Sequence, residues 1–214
     1  MKKLEIPFIP GLESLPFEEM DIRMEAEAAK DFICEVNWQE YSYKPSAAFR
    51  VARSEKHLVI MYDVKGLDLR AASIDDNGPV WEDSCCEFFV SHPSDGTYYN
   101  FELNCIGTLL AAKRRSRTDA DMFSAVQLAR IIRHSSLERK TYDENGKVYA
   151  WSTALCIPFD LIDIDAENLP SGIRVNFYKC ADMTAHPHYL SWSPVESEEP
   201  NFHRPECFGI VDLV

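Results

Sequence analysis

No apolar run in the sequence approaches the roughly 20 residues that a helix needs to cross a bilayer, which excludes a helical membrane span. The N-terminus also lacks the apolar stretch of a secretory signal, because Lys2 and Lys3 are followed at once by Glu5, Pro7 and Pro10. Export is not encoded in the chain as given. We therefore expect a cytoplasmic protein, or an exported one if the natural chain has been trimmed of a leader.

Basic residues are few relative to acidic ones. The chain has 22 lysines and arginines against 35 aspartates and glutamates, a formal net charge of −13. A charge of this sign repels the phosphate backbone of nucleic acids and anionic lipid headgroups. We therefore expect neither nucleic acid nor a membrane as a partner.

Paired cysteine motifs are missing as well. The chain has seven cysteines, an odd number, and none of them lies in a Cys-x-x-Cys pair. Most lie inside apolar, strand-like segments. This pattern is typical of buried thiols in a reducing compartment rather than of a disulfide framework.

No internal repeat or low-complexity linker divides the 214 residues. A hydrophobic fraction of 46%, with 12 Phe, 9 Tyr and 4 Trp, is typical of a well-packed globular protein. We expect one domain over residues 1–214, in which residues 1–30 form an N-terminal extension that packs on the rest.

Alternation of apolar and polar residues, the pattern of half-buried β-strands, recurs along most of the chain. It is clear in residues 98–105, 148–157 and 173–180, and residues 57–64 form a further strand-like run rich in β-forming residues. About ten to twelve short strands at this spacing predict an all-β fold, an antiparallel β-sandwich of the jelly-roll or immunoglobulin-like type. One or two short peripheral helices are expected, the first within residues 17–30.

Local signals refine this prediction. Asn145-Gly146 predicts a two-residue hairpin within residues 142–147. Residues 66–79 are polar and rich in turn formers, which predicts a loop. A helical turn is expected at residues 119–124 and a strand at 126–132.

The stretch 80–107 carries the strongest functional pattern. Trp81 and Glu87 are six residues apart, and in an extended chain an even spacing places both on one face. Trp81 is expected at a loop-to-strand junction, where a sheet fixes a side chain that solvent still reaches. An aromatic ring near a carboxylate suits a sugar, but the same pattern also fits core packing.

Several short segments occur together along the chain. They are Asn37-Trp38, Tyr43-Lys44-Pro45, Val80-Trp81-Glu82-Asp83-Ser84, Glu87-Phe88-Phe89, Tyr99-Asn100-Phe101-Glu102, Asn176-Phe177-Tyr178-Lys179-Cys180, Tyr189-Leu190-Ser191-Trp192 and Asn201-Phe202-His203-Arg204-Pro205-Glu206. In this combination the sequence resembles the family 9 carbohydrate-binding modules and their bacterial relatives over nearly its whole length. The resemblance implies a DOMON-like β-sandwich without a catalytic centre, which serves carbohydrate catabolism by binding sugar.

The resemblance also implies a site in which two tryptophans enclose a terminal sugar while a carboxylate and amides bind its hydroxyls. Matched by position, Trp81 and Trp192 are the expected stacking pair, Glu87 is the carboxylate, and Asn104 and Asn176 are the amides. The implied ligand is a mono- or oligosaccharide. Stacking on an aromatic ring with a few polar contacts gives micromolar to millimolar binding, about −4 to −8 kcal/mol.

The other two tryptophans, Trp38 and Trp151, lie in apolar strand-like runs and are expected in the core. Glu87 lies among apolar neighbours and is expected to be at least partly buried. A buried carboxylate needs a partner, and either a ligand or an arginine such as Arg174 could supply it.

Three other functions stay open. One is a structural or protein-interaction β-sandwich with no sugar ligand. Another is a glycoside hydrolase, which uses two carboxyl groups about 5 to 10 Å apart, and the candidates are Glu82, Asp83, Glu87 and Glu102. The third is a haem protein, but the six histidines show no ligand pattern.

Metal and cofactor signals are weak. His186 and His188 are too few to hold zinc, and the run 113–117 is more typical of a solvated strand end than of a site for acidic sugars. Asp163, Asp165 and Glu167 leave calcium open, although they lack the pattern of an EF-hand loop. No other cofactor is expected.

Overall fold

Two β-sheets packed face to face make up most of the molecule in the computed structural model, which describes residues 1–91 and 96–214. The larger sheet contains β1 (Lys3–Ile6), β3 (Glu35–Val36), β6 (Cys85–Ser91), β7 (Tyr98–Asn104), β8 (Leu109–Arg114), β9 (Ala120–Met122), β12 (Ile173–Cys180), β13 (Tyr189–Ser191) and β14 (Gly209–Leu213). The smaller sheet contains β2 (Ala29–Phe32), β4 (Ser46–Arg53), β5 (His57–Ala71), β10 (Ile132–Ser135) and β11 (Tyr142–Pro158). The helices are α1 (Phe17–Glu27) and α2 (Ala125–Leu128), with short 3₁₀ turns at Leu12–Ser14, Gln39–Tyr41, Val80–Glu82, Phe159–Ile162 and Pro205–Cys207.

The larger sheet has the strand order β1-β14-β12-β6-β7-β8-β9, with β13 paired to β12 and β3 paired to β13. The smaller sheet has the order β10-β11-β5-β4-β2. Strand pairs are antiparallel except for β1 and β14, which run parallel. The predicted all-β sandwich with two short helices is confirmed.

The main core lies between the sheets, because alternate residues of each strand point toward the facing sheet. Phe88 and Phe177 from the larger sheet meet Phe49 from the smaller one, and the rings of Phe49 and Phe177 stack with centroids 3.7 Å apart. Trp151 is also buried in this core, as expected from its apolar run.

The first 30 residues contribute a strand to the larger sheet and a helix that packs on the smaller one. Strand β1 extends the larger sheet beside β14. Helix α1 covers the outer surface of the smaller sheet, where Met20 and Met24 pack against Val59 and Met61. The predicted helix within residues 17–30 is present over Phe17–Glu27.

The outer face of the larger sheet is also covered. We call residues 193–208 the covering loop. Trp38 donates from Nε1 to the carbonyl of Ser197, and the backbone nitrogen of Val195 donates to the side chain of Asn37. Phe202 stacks on Tyr178 of the outer face with centroids 4.1 Å apart. All residues of β6 and β7 are consequently buried, on both faces of the sheet.

One predicted turn is wrong. Asn145-Gly146 does not form a hairpin but lies within β11, which pairs with β5 both before and after it. Asn145 is opposite Asp68 and Tyr149 is opposite Gly66, so the strand contains a bulge. Gly146 has φ of 73°, a left-handed conformation that glycine adopts without strain. The loop predicted from residue 66 begins only after Ala71, because β5 runs that far.

The segment around residue 124 is also different from the prediction. Residues 120–122 form β9 instead of a helical turn, and residues 125–128 form α2 instead of the beginning of a strand. The helix begins with a capping box, in which Ser124 and Gln127 bond to each other's backbone nitrogens. Ser-x-x-Gln was therefore a local helix signal in an otherwise strand-like segment.

Five of the seven cysteines are buried, and Cys34 and Cys207 are partly buried. All seven lie in the described part of the chain and are free thiols. This agrees with the prediction of buried thiols. Among the described residues, no helix is long and apolar enough to cross a membrane.

Candidate functional site

A cavity of about 260 Å³ lies between the outer face of the larger sheet and the covering loop. Strands β6, β7, β8 and β12 supply its floor, the 3₁₀ turn at Val80–Glu82 supplies one wall, and the covering loop supplies another. The lining residues are Trp81, Glu87, Glu102, Arg114, Arg117, Cys180, Asp182, Tyr189, Pro200, Asn201, Phe202 and His203.

Trp81 stands at this cavity with 38% of its surface exposed, whereas the other three tryptophans are buried. Its main chain is fixed, because the backbone nitrogen of Asp182 donates to the Trp81 carbonyl at 3.2 Å and Met183 donates to Glu82 at 3.1 Å. These bonds join the 3₁₀ turn to the segment after β12. A rigidly held backbone thus presents an exposed aromatic ring at the cavity.

Two buried carboxylates, Glu87 on β6 and Glu102 on β7, face the cavity from directly opposite positions on neighbouring strands. Side chains at such positions have Cβ atoms about 4.5–5.5 Å apart. Burial, followed by the charges of Cys180 and Glu102, raises the pKa of Glu87 well above its usual range. The raised pKa favours the protonated form of Glu87, which can donate a hydrogen bond.

Glu102 is held by a short chain of hydrogen bonds. Arg114 donates from Nε to Asn100 Oδ1 at 2.7 Å, and Asn100 donates from Nδ2 to Glu102 Oε1 at 2.8 Å. The second oxygen, Oε2, is buried and has no hydrogen-bond partner among the described residues. Burial raises the pKa of Glu102 to about 7. The arrangement leaves one buried carboxylate oxygen without a hydrogen-bond partner among the described residues.

Asp182 and His203 also line the cavity. Burial raises the pKa of Asp182 to about 6. Burial and the charges of Arg114 and Arg117 lower the pKa of His203 to about 3, so its imidazole is neutral. His203 Nδ1 is 2.9 Å from the hydroxyl of Tyr98. A cavity with paired acceptors, donors and one exposed ring can bind a small polar ligand that has an apolar face.

Of the five residues predicted to bind sugar, the structure brings Trp81 and Glu87 together at this cavity. Trp81 lies in a 3₁₀ turn and not on the strand itself, so the face-sharing argument from even spacing does not apply to it directly. The loop-to-strand junction expected for Trp81 is observed, since β6 begins at Cys85.

Trp81 and Trp192 do not form the expected stacking pair. Trp192 is 0% exposed and packs in the main core against Phe49 and Phe177. Its Nε1 donates to Asp31 at 2.8 Å. The indole also lies so close to Gly209 that a Cβ there would be 2.4 Å from Cζ3. Trp192 follows β13 on the face that points between the sheets, and this is why it cannot reach the cavity.

Asn104 and Asn176 do not line the cavity either. Asn104 Nδ2 donates to Ser73 and Asp83, and its Oδ1 accepts from Thr108, so it fixes the turn after β7. Asn176 exchanges hydrogen bonds with the backbone of Ser193, where the covering loop begins. Both amides therefore fix the surrounding backbone, and neither of them faces the cavity.

Arg114 and the residues of the covering loop were not predicted to bind sugar, and Glu102 was named only as a candidate carboxylate of a glycoside hydrolase, although signals for some of them exist. Glu102 belongs to the polar alternate positions of residues 98–105, and Arg114 and Arg117 belong to the basic run 113–117. Asn201 and His203 lie in one of the segments that carry the family resemblance.

The weaker candidates lie elsewhere. Arg174 bonds to the backbone carbonyls of Glu206 and Phe208 and is not the partner of Glu87, which accepts from Cys180 Sγ at 3.0 Å. His186 pairs with Asp68, and His188 Nδ1 contacts the carbonyl of His186.

The three residues considered for calcium have their own contacts. Asp163 bonds to Lys113 and to the hydroxyl of Tyr99. Asp165 accepts from the backbone nitrogen of Glu167. Calcium binding at these carboxylates stays a prediction.

Comparisons with known proteins agree with the fold and with the resemblance noted in the sequence. The sequence model of carbohydrate-binding family 9 matches residues 18–213. A Bacteroides uniformis protein proposed to bind carbohydrate is 33% identical, with a TM-score of 0.90 over 100% of this chain and 99% of that one. A search of curated proteins found no match.

Two more distant solved structures have the same fold. Both are a family 9 carbohydrate-binding module of Caldicellulosiruptor kristjanssonii. In complex with glucose it is 10% identical, with a TM-score of 0.64 over 100% of this chain and 96% of that one. In complex with cellotriose it is 11% identical, with a TM-score of 0.61 over 99% and 93%.

Proposed function

The chain belongs to carbohydrate-binding family 9, and from this premise we propose that its cavity binds a small sugar or the end of a glycan without cleaving it. The observation that carries the proposal is the exposed ring of Trp81 beside a cavity lined by Glu102, Asp182 and Asn201. The proposed role of this binding is sugar capture in carbohydrate catabolism.

In the proposed complex the apolar face of a pyranose packs on Trp81, which releases water from both surfaces. The carboxyl groups of Glu102 and Glu87 form hydrogen bonds with hydroxyls of the sugar. Asn201 offers both a donor and an acceptor. Family members complexed with glucose and cellotriose support this ligand class for the chain.

The second wall of the sugar site cannot come from Trp192. Tyr189 and Phe202 are the aromatic residues that line the cavity together with Trp81. Phe202 is held by its stacking on Tyr178, and Tyr189 packs edge-on against Tyr41 with centroids 4.8 Å apart. We propose that the sugar contacts one of these rings in addition to Trp81.

A titration with neutral mono- and oligosaccharides, followed by tryptophan fluorescence and calorimetry, tests the proposal. Glucose, cellobiose and cellotriose belong in the panel, together with other hexoses. We expect a micromolar to millimolar dissociation constant and a loss of affinity of about 10-fold in Trp81→Ala, which corresponds to about 1.4 kcal/mol of stacking free energy.

Phe32→Ala is the matched control, because Phe32 is an exposed aromatic residue, 60% accessible, on the smaller sheet. It should bind sugar like the wild type. If no sugar in the panel gave a response, or if Trp81→Ala bound as tightly as the wild type, the proposal would be wrong and a structural or interaction role would replace it.

A glycoside hydrolase is the second candidate, and one observation favours it. Glu87 and Glu102 are opposite each other on adjacent strands, and both face the cavity. Retaining glycosidases use two carboxyl groups about 5–5.5 Å apart. Release of reducing sugar by the wild type, lost in Glu87→Gln, would establish this activity. Our proposal predicts no release.

A further inference from the structure

Beneath the cavity, two cysteines and a carboxylate converge. Cys85 and Glu87 are two residues apart on β6 and therefore share the outer face. Cys180, the last residue of β12, is directly opposite Cys85 in the strand pairing. The antiparallel register thus brings two sulfurs and a carboxylate oxygen to one place, although Cys180 is far from the other two in sequence.

The ligand atoms of these three residues all lie within 4.8 Å of one another, and the Cys180 Sγ to Glu87 Oε1 distance is 3.0 Å. Ligands of a tetrahedral zinc ion, with bonds of about 2.3 Å to sulfur and about 2.0–2.2 Å to oxygen, are about 3.5–3.8 Å apart. The distance between Cys180 Sγ and Glu87 Oε1 would have to increase by roughly 0.5 Å to admit an ion. Among the described residues, no other group of three potential ligands is this close.

The site also has an opening and room for one more ligand. Glu87 and Cys180 line the cavity, whereas Cys85 lies behind them and is fully buried. A water molecule could occupy the fourth position from the cavity side. The unpartnered Oε2 of Glu102, on the strand next to Glu87, could accept a hydrogen bond from that water.

We propose that Cys85, Cys180 and Glu87 form a binding site for a divalent metal ion of the zinc class, with one coordination position open to the cavity. Two sulfurs favour zinc, cobalt or cadmium over calcium and magnesium, which take oxygen ligands. Three protein ligands with an open fourth position is the coordination of zinc sites that also bind a ligand. The proposal does not rest on sugar binding.

Cobalt titration of the reduced, chelator-treated full chain tests the proposal. We expect thiolate-to-cobalt charge-transfer absorption in the near ultraviolet that saturates at one Co²⁺ per chain and disappears when Zn²⁺ is added. Cys85→Ala and Cys180→Ala should each lower the affinity for cobalt by at least about 100-fold. Loss of even a hydrogen-bond partner of a metal ligand lowers metal affinity by about 10–100-fold.

Cys86→Ala is the matched control. Cys86 is the neighbour of Cys85, equally buried but on the inner face of the same strand, and it should bind cobalt like the wild type. Loss of binding in this control, or unchanged absorption in both ligand variants, would overturn the proposal.

If the cysteine variants fail to fold, the wild type still decides the question. Absence of thiolate-to-cobalt absorption, together with absence of a one-zinc adduct in native mass spectrometry, would overturn the proposal. No sugar is present in these measurements. Failure here therefore leaves the sugar proposal unaffected, and failure of the sugar titration leaves this one unaffected.

Discussion

The two faces of the larger sheet are both shielded from solvent, but the residues that shield them are different. The inner face is covered by another sheet, and Phe88, Phe101 and Phe177 fill the space between them. The outer face is covered by an irregular loop and buries Glu87 and Glu102 beside a cavity. Two sheets with complementary apolar surfaces pack closely against each other. A loop that crosses a polar face leaves a cavity beside polar groups that lack hydrogen-bond partners.

The two faces differ in what their residues contribute to the free energy of folding. Close-packed aromatic residues of the inner face contribute folding free energy because their removal leaves a void. Buried ionisable residues of the outer face contribute little or cost stability, and such residues are typical of functional sites. Substitutions on the two faces should therefore affect different measurements.

The largest expected effect is that of Trp192→Ala on the inner face. Removing this fully buried indole should lower the free energy of unfolding by about 3–5 kcal/mol, because it leaves a cavity against Phe49 and Phe177. Urea denaturation measures the loss. Sugar affinity of the fraction that remains folded should be unchanged. A stable Trp192→Ala protein that has lost sugar binding would instead support the stacking role first expected for this residue.

The next effect concerns the buried ionisable residues of the outer face. His203 is neutral in the fold, with a pKa near 3, whereas in the unfolded chain it takes up a proton below about pH 6.5. The stability that the neutral imidazole contributes is therefore complete above pH 6.5 and is lost as the pH falls toward 3. The loss is about 3 kcal/mol by pH 4. His203→Gln should reduce the acid destabilisation by this amount.

Unfolding curves from pH 7 to pH 4 for the wild type and His203→Gln check this prediction. Glu102, whose pKa is raised to about 7, has the opposite dependence, since its contribution is lost as pH rises, so only the difference between the two proteins is informative. His134→Gln on the smaller sheet is the comparison variant, because burial also lowers the pKa of His134. Equal acid sensitivity of the wild type and His203→Gln would contradict the prediction.

Packing around Trp192 gives a third, smaller effect. Gly209→Ala should destabilise the fold by about 1–3 kcal/mol, because its Cβ would overlap the indole. A double-mutant cycle with Trp192→Leu isolates this clash. The cost of Gly209→Ala should fall by more than about 0.5 kcal/mol in the Trp192→Leu background, although the carbonyl of Lys2, 3.0 Å away, would leave part of it. Simple additivity of the two substitutions would contradict the assigned contact.

Much of the fold could be predicted from the sequence, because the strands alternate apolar and polar residues over most of their lengths. The alternation could not tell which elements cover each face. Tyr98, Asn100, Glu102 and Asn104 have the pattern of a solvated face, yet the covering loop buries part of it and other turns bury the rest. Burial of a polar face is a tertiary property that local pattern does not contain.

The site was predictable only in part for a similar reason. Trp81 and Glu87 are close in sequence, so local spacing could bring them together. Strand register decides that Glu87 is opposite Glu102 and that Cys85 is opposite Cys180. The positions of the covering-loop residues depend on a connection without regular structure. Trp192 was expected at the site from the family resemblance alone, and its short flanking strand gives too few alternations to show which face it occupies.

The smallest expected effect is that of Trp81→Ala on the free energy of unfolding, in contrast to the large effect expected of Trp192→Ala. Trp81 is partly exposed, it stacks on no aromatic ring among the described residues, and its backbone bonds do not involve the side chain. Truncation should therefore lower the free energy of unfolding by only about 1 kcal/mol, well below the loss expected for Trp192→Ala. Urea denaturation of Trp81→Ala measures this loss. A loss of several kcal/mol would show that the indole is a packing residue, and weakened sugar binding in that variant could then be an indirect effect of unfolding.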